Sequence, residues 1–147
     1  MIVFPKKLRF QVNSMYRTSF LIVVVIFFIA GCATIGEKRR IAGFEKVSRA
    51  YERIMLDSNF ETAHGFTDLE SVREEIDFTA YKDIKIVEYQ VKKGWVSDDR
   101  IEVHQIVEVK YYRIDSLIVR TMRYEQLWKY DDVKKTWLLQ AGLPEFK

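Results

Sequence analysis

The sequence has few of the residues that build metal sites and disulfide frameworks: one cysteine and two histidines among 147 residues. A single cysteine cannot form an internal disulfide or a thiolate metal cluster. The sequence also lacks a glycine-rich phosphate loop, a serine nucleophile motif and a metal-spaced histidine cluster. We therefore expect no metal and no other cofactor, and no set of catalytic residues can be assigned.

Acidic residues are missing from the first 32 positions, which carry Lys6, Lys7, Arg9 and Arg17. The whole chain has a formal charge of +3, and removal of these four basic residues leaves about −1 for the remainder. The basic balance therefore belongs to the N-terminal segment. The rest of the chain lacks the excess of positive charge that a nucleic-acid-binding domain needs, so we expect no nucleic-acid partner.

An apolar run without charge or proline extends from residue 20 to residue 30, between Arg17 and Cys32. A basic start, an apolar stretch of about 7–15 residues and small residues at its end are typical of a secretion signal. A transmembrane helix needs about 20 apolar residues, so an uncleaved anchor is the alternative. We predict a signal peptide over residues 1–31, and Met15 is an alternative start.

The four residues Ile29-Ala30-Gly31-Cys32 follow the order aliphatic, small, small, cysteine. They resemble the lipobox of bacterial lipoproteins, which implies a thioether-linked lipid on Cys32, cleavage before it, and acylation of the new N-terminus, for example with palmitate. Several acyl chains hold a protein stably at a membrane. The resemblance implies a location in the cell envelope. In a Gram-negative host it implies the outer membrane, because Ala33 follows the cysteine where an Asp usually marks inner-membrane retention. The alternative is a free cysteine after an ordinary signal.

The remainder is predicted to be a tether over residues 32–37 and one α+β domain over residues 38–147. A helix over residues 37–57 is predicted from apolar residues at steps of three and four: Ile41, Phe44, Val47, Tyr51 and Ile54. The segment Thr67-Asp68-Leu69-Glu70 matches a capping box. It predicts a short second helix from about Asp68 to Ile76.

Beyond Phe78 the apolar pattern changes to a period of two, which predicts strands. The first strand begins at Ile84 and continues, with a bulge, to Val96. The others span residues 101–111, 117–130 and 137–139, with polar turns between them. Two helices before four antiparallel strands predict an α+β fold in which the helices pack on a curved four-stranded sheet.

This order is similar to that of the nuclear transport factor two-like superfamily, also called cystatin-like, over residues 40–146. The amphipathic helix, the long hairpins and the ending Leu127-Trp128-Lys129-Tyr130, loop, Thr136-Trp137-Leu138-Leu139 carry the resemblance. It implies a cone-like domain with a pocket. Some members are isomerases, cyclases or dehydratases and many only bind ligands or partners, so the fold does not determine the function.

Four residues are candidates for lining such a pocket: Gln105, Arg120, Tyr124 and Gln126. Three of them are polar residues on apolar strand faces, where a buried polar group needs a partner. The alternative is that Arg120 and Gln126 lie near strand ends or pair internally.

The two histidines are weaker candidates, for acid–base chemistry. His104 lies near Glu102 and Glu108, as a general base could, but on the polar side of its strand, where a solvated face is expected. His64 precedes a glycine in a break between helices, which favours a loop or cap role.

These observations predict a membrane-anchored lipoprotein whose domain is non-enzymatic and binds a small apolar ligand or an envelope partner. The alternatives are a pocket enzyme of the isomerase or hydratase type and a structural subunit of an envelope complex. A dry pocket with a buried ionisable group would favour the enzyme. A pocket filled by Tyr and Trp would favour the structural role, and a large exposed apolar patch would favour a partner.

Overall fold

The computed structural model describes residues 36, 38–70, 72 and 76–147. Contacts along the chain divide it into two units, Met1–Arg39 and Arg40–Lys147. The predicted signal peptide, Cys32 and most of the tether lie outside the described residues. The strands, the core and the candidate pocket residues all belong to the second unit.

Residues 38–56 form the long helix α1, as the apolar periodicity predicts. Its apolar stripe is buried at Phe44, Tyr51 and Met55. Charged residues occupy the opposite side, where Arg49 lies 3.3 Å from Glu45 one turn away. The helix is therefore amphipathic, with one face available for burial.

A short second helix, α2, spans Phe60–His64, shortly after residue 57, where the first helix was predicted to end. Ser58 leaves the helical path with a φ of 55°. The side chain of Asn59 then caps α2 by accepting a hydrogen bond from the Thr62 N–H at 3.1 Å. Asn is among the preferred residues at this position because its side chain satisfies a free amide of the first turn.

The prediction of a second helix over residues 68–76 is wrong for its described part. Residues 68–70, 72 and 76 are not helical, and the other residues of that range lie outside the described ones. The capping box is not formed, because the Thr67 hydroxyl is buried without a hydrogen-bond partner. Instead the Asp68 carboxylate accepts from the Glu70 N–H at 3.3 Å.

Pairing with a distant strand explains this difference. The Leu139 N–H donates to the Phe66 carbonyl, and the Leu139 carbonyl accepts from the Asp68 N–H, both at 2.8 Å. Thr67 and Leu139 thereby form a parallel bridge. The bridge holds Thr67 in a pairing that a local sequence motif does not reveal.

Four antiparallel strands follow, and they lie in the sheet in chain order. They are β1 (Ile84–Val96), β2 (Glu102–Arg113), β3 (Arg120–Asp131) and β4 (Thr136–Leu139), with a 3₁₀ helix at Phe78–Tyr81 before them. The α+β class and the four-stranded antiparallel sheet are thus confirmed. The third strand begins at Arg120 rather than at Leu117, because residues 117–119 make no strand pairing.

Two irregularities in β1 set which of its residues face the core. The pairing with β2 shifts between Ile86 and Glu88 and again between Val91 and Lys93. A bulge adds one residue and moves the following side chains to the other face. Ile84 and Ile86 are therefore buried, and so is Tyr89, although it is an odd number of residues away.

Aromatic rings from α1 and from the last two strands meet in the core. The Tyr51 ring lies edge-on to Trp128 with centroids 5.3 Å apart, and the Phe44 ring lies 5.2 Å from Trp137. Edge-on aromatic pairs at this spacing are favourable beyond the area that they bury. The indole N–H of Trp137 donates to the Arg40 carbonyl at 2.9 Å, which links β4 to the first part of the helix.

Candidate functional site

The structure brings three of the four candidate pocket residues together around one buried side chain, Gln126. Gln126 is only 2% exposed. Its amide N–H₂ donates to the hydroxyls of Tyr89 and Tyr124, each at 3.0 Å. Its carbonyl accepts from the indole N–H of Trp128 and the hydroxyl of Tyr89, each at 3.2 Å. We call Tyr51, Tyr89, Gln105, Tyr124 and Gln126 the tyrosine–glutamine cluster.

Gln105 lies directly across from Gln126 in the pairing of β2 with β3. It is 8% exposed, and its side-chain carbonyl is buried without a hydrogen-bond partner. On the β1 side Gln105 pairs with Gly94, and a Cβ atom placed on Gly94 would lie 3.8 Å from the Gln105 side chain. The two glutamines therefore share a position on the sheet but differ in hydrogen bonding.

The three tyrosines of the cluster are held in the neutral form. Burial, followed by the neighbouring Tyr124 hydroxyl, raises the pKa of Tyr51 well above its ordinary value. Burial is also the main cause that raises the pKa of Tyr89 and of Tyr124. None of the five residues carries a carboxylate or an imidazole, so the cluster can donate and accept hydrogen bonds but lacks an acid–base pair.

Arg120, the fourth candidate, lies apart from the cluster. It begins β3 opposite Tyr111, six positions along the strand from Gln126. Its side chain is exposed, and its guanidinium donates to the carbonyl of Lys147 at 2.5 Å. The alternative to a pocket was that Arg120 and Gln126 lie near strand ends or pair internally. Arg120 lies at a strand end, and Gln126 pairs internally.

Sequence reasoning did not identify Tyr89 and Tyr51 as members of the cluster. Alternation along β1 could place Tyr89 on the inner face only with the bulge at Val87 taken into account. Tyr51 was recognised as part of the apolar helix stripe, but its hydroxyl is buried without a partner. A tyrosine in an apolar stripe is a signal for a buried polar cluster, because its hydroxyl usually finds a partner when it is buried.

Two concave regions lined by described residues lie away from this cluster. One, of about 290 Å³, lies beside α2 and the 3₁₀ helix, and its lining includes Phe60, Phe78 and Tyr81. Another, of about 420 Å³, follows the charged face of α1 between Ala42 and Arg53. Neither contains a residue that was predicted to line a pocket.

His104 and its neighbours form the charged outer face of the sheet. The His104 ring stacks on Trp95 with centroids 4.9 Å apart, and its Nε2 lies 3.8 Å from Glu102. Glu102 also lies 2.7 Å from Lys129. The carboxylate nearest the histidine is thus in an ion pair on a half-exposed surface, as the solvated-face interpretation expects.

Glu108 occupies the middle of that face between two cations. It lies 2.7 Å from Arg123 and 3.1 Å from Lys92. Hydrogen bonds from Arg123 and then from Lys92 hold the pKa of the Glu108 carboxyl below its usual range. Its charge contributes to pairing between strands, in agreement with the preference for opposite charges across a sheet.

His64 ends α2, and its ring lies edge-on to Phe78 with centroids 5.7 Å apart. Its Nδ1 is buried without a hydrogen-bond partner. His64 is the last helical residue of α2 and precedes the C-cap Gly65, so the loop or cap role that the sequence favours is not observed.

Comparison with known proteins adds little on function. No protein-family model matches the chain, and no curated protein matches it. Within the described ranges, no group of three or more His, Cys, Asp or Glu side chains is placed to hold a metal ion. In the same part of the chain, no helix has the length and hydropathy that a membrane crossing requires.

Proposed function

We propose that this chain is a lipoprotein of the cell envelope, anchored through Cys32, whose folded domain is not an enzyme and binds an envelope partner as a structural subunit. The anchor is supported by the lipobox-like Ile29-Ala30-Gly31-Cys32 after an apolar run. In a Gram-negative host, the residue Ala33 supports the outer membrane as its location.

The observation that supports a non-enzymatic domain best is the filling of the helix–sheet interface by aromatic rings. Trp128 and Tyr51 are fully buried and in edge-on contact. Gln126 forms hydrogen bonds to Tyr89, Tyr124 and Trp128 within the protein, and the pKa values of the tyrosines in the cluster are raised, which keeps them neutral. An isomerase or hydratase would need a proton acceptor beside an open space, and these residues supply neither.

The finer shape belongs to the same proposal. We infer that the sheet curves around α1 as a cone of the nuclear transport factor two-like type. The two bulges of β1 support this, because bulges bend a strand and increase its twist. In this cone the aromatic rings occupy the space that a pocket would take.

Fractionation of cells tests the anchor and its sorting. We expect the wild-type protein in the outer-membrane fraction of a Gram-negative host, and loss of membrane association in a Cys32→Ser variant. Ala33→Asp is the matched sorting variant and should move the protein to the inner membrane without releasing it. Equal membrane association of wild type and Cys32→Ser would contradict the lipid anchor.

A second candidate function is the binding of a small ligand beside Gln105. It is supported by the unpartnered carbonyl of Gln105 and the unpartnered hydroxyl of Tyr51, since buried polar atoms without partners are uncommon. Native mass spectrometry of the extracted protein tests it. A bound mass that is present in wild type and lost in Gln105→Met would favour this function, and its absence would favour the filled core.

A further inference from the structure

The loop between β2 and β3 has an unusually apolar surface. We call residues 114–119 the apolar loop. Leu117, Ile118 and Val119 are 70%, 61% and 57% exposed, and Ile114 is 49% exposed. Single exposed aliphatic residues are normal on a protein surface, but a contiguous apolar group marks a contact site.

The way in which these side chains are exposed indicates the kind of partner. Leu117, Ile118 and Val119 follow one another in a segment that is neither helix nor strand, with a φ of 53° at Leu117, and all three are more than half exposed. A flat protein surface would cover one side of such a segment. A lipid layer surrounds an inserted loop and can cover all sides together.

Two arginines lie at the base of the apolar loop. Arg113 is the last residue of β2 and Arg120 is the first of β3. The only acidic side chain of the loop, Asp115, lies 3.6 Å from Arg113. Residues 113–120 therefore carry a formal net charge of +1, with Arg113 beside Asp115 and the Arg120 guanidinium donating to the Lys147 carbonyl. A long cationic side chain beside an apolar segment suits the headgroup layer, where the stem is buried and the charge meets anionic phosphate.

The loop and the start of α1 lie at opposite ends of the sheet. The Arg40 carbonyl binds Trp137, which pairs with Tyr130 near the end of β3, whereas Arg120 begins that strand. Ten residues of strand separate these ends by roughly 33 Å. The apolar loop is therefore distant from the start of α1.

We propose that the apolar loop inserts into the interfacial layer of an anionic phospholipid bilayer as a second membrane contact, with Arg113 and Arg120 on the headgroups. The proposal rests on the envelope location proposed above.

The test places an environment-sensitive fluorophore on the loop of the full-length, membrane-extracted protein. In the lipidated chain the Cys32 sulfur is a thioether, so Ile118→Cys supplies the reactive thiol. Val133→Cys is the matched control, since Val133 is also an exposed aliphatic loop residue, at the other end of β3. In vesicles with phosphatidylglycerol we expect a blue-shifted emission and quenching by lipid-borne quenchers at 118 but not at 133.

Charge variants test the role of the arginines in the same vesicles. Loss of one cation near an anionic surface reduces binding about fivefold. We expect Arg113→Gln and Arg120→Gln each to lower the ratio of membrane-inserted to free loop by about fivefold. Arg123→Gln, which removes an exposed arginine outside the loop, is the control and should change little.

The outcomes separate the loop from the anchor. The wild-type chain should not react with the dye, because the sulfur of Cys32 is already in a thioether. Labelling of Cys32 would contradict the lipid anchor, and in that case the loop is tested in a Cys32→Ser background. The proposal would be overturned if the probe at 118 stays in water, or if the probes at 118 and 133 respond equally to vesicles. It would also be overturned if the emission of the probe at 118 shifts without vesicles as the protein concentration rises. The last result would indicate contact between copies of this chain.

Discussion

Replacement of Gln126 by methionine should destabilise the protein far more than the same replacement of Gln105, although the two residues face each other across β2 and β3. Both are buried, at 2% and 8% exposure. Methionine has a similar volume and is unbranched, so packing changes little in either variant. The difference in stability should therefore come from hydrogen bonding.

The magnitude follows from the groups that each change leaves without a partner. Gln126→Met removes the partner of Trp128 Nε1 and partners of the Tyr89 and Tyr124 hydroxyls. A buried polar group without a partner costs about 1–3 kcal/mol. The two hydroxyls can bond to each other, so we expect a loss of about 2–4 kcal/mol in the free energy of unfolding.

Gln105→Met removes a carbonyl that already lacks a partner. Replacing an unsatisfied buried polar atom by an apolar one is close to neutral or stabilising. We expect the free energy of unfolding to stay within about 1 kcal/mol of wild type or to rise.

Urea unfolding followed by tryptophan fluorescence measures both variants. With a slope of about 2 kcal/mol per molar urea, Gln126→Met should lower the midpoint by about 1–2 M. Equal losses in the two variants would refute the reasoning. A larger loss in Gln105→Met would mean that Gln105 binds a group such as a ligand or a water.

Three further predictions concern the sheet and the helix start. Glu108→Gln should lower the urea midpoint at pH 7. Because the folded pKa of Glu108 is depressed by Arg123 and Lys92, its contribution is complete above the unfolded value near about 4.3. The contribution is lost as pH falls through the folded pKa, so wild type and variant should converge in acid. Ser58→Ala should cost about 1–2 kcal/mol by the same unfolding assay, since the Ser58 hydroxyl accepts from the Ile86 N–H at 2.9 Å and Ile86 is buried. Equal stability would contradict that role. Trp137→Phe should cost about 1–3 kcal/mol through lost volume and the lost bond to the Arg40 carbonyl. It should also raise amide exchange in the first turns of α1, whereas unchanged exchange would show that this bond does not hold the helix start.

The strands were predictable because their pattern is set by burial on one face. In β2 the buried residues Val103, Val107 and Val109 alternate with half-exposed polar ones over much of its length. A period of two specifies both strand and face. The long helix was predictable for the same reason, since one stripe of α1 is apolar.

Elements that depend on distant partners were not predictable. The capping box at Thr67 is a sound local signal, but pairing with Leu139 holds that segment in another conformation. Conversely, α2 is a single short helix in a segment with no long apolar pattern, and its cap by Asn59 is its main local signal. Tertiary pairing outweighs local preference in such short segments.

The candidate site was predictable in part. A polar residue on an apolar face, as at Gln126, indicates a buried hydrogen-bonding group from the sequence alone. The partner could not be named, because Tyr89 reaches Gln126 only through the bulge at Val87. Arg120 had the same sequence signal but lies at the start of its strand, where its side chain reaches solvent.

The most direct test of the central proposal is the intact mass of the membrane-extracted protein, measured beside a Cys32→Ser variant. We predict a chain that starts at Cys32 and carries the mass of a diacylglycerol thioether and an additional acyl chain. The variant should lack this modification and leave the membrane. A wild-type chain that keeps residues 1–31, or one cut elsewhere with an unmodified thiol at Cys32, would contradict the lipid anchor.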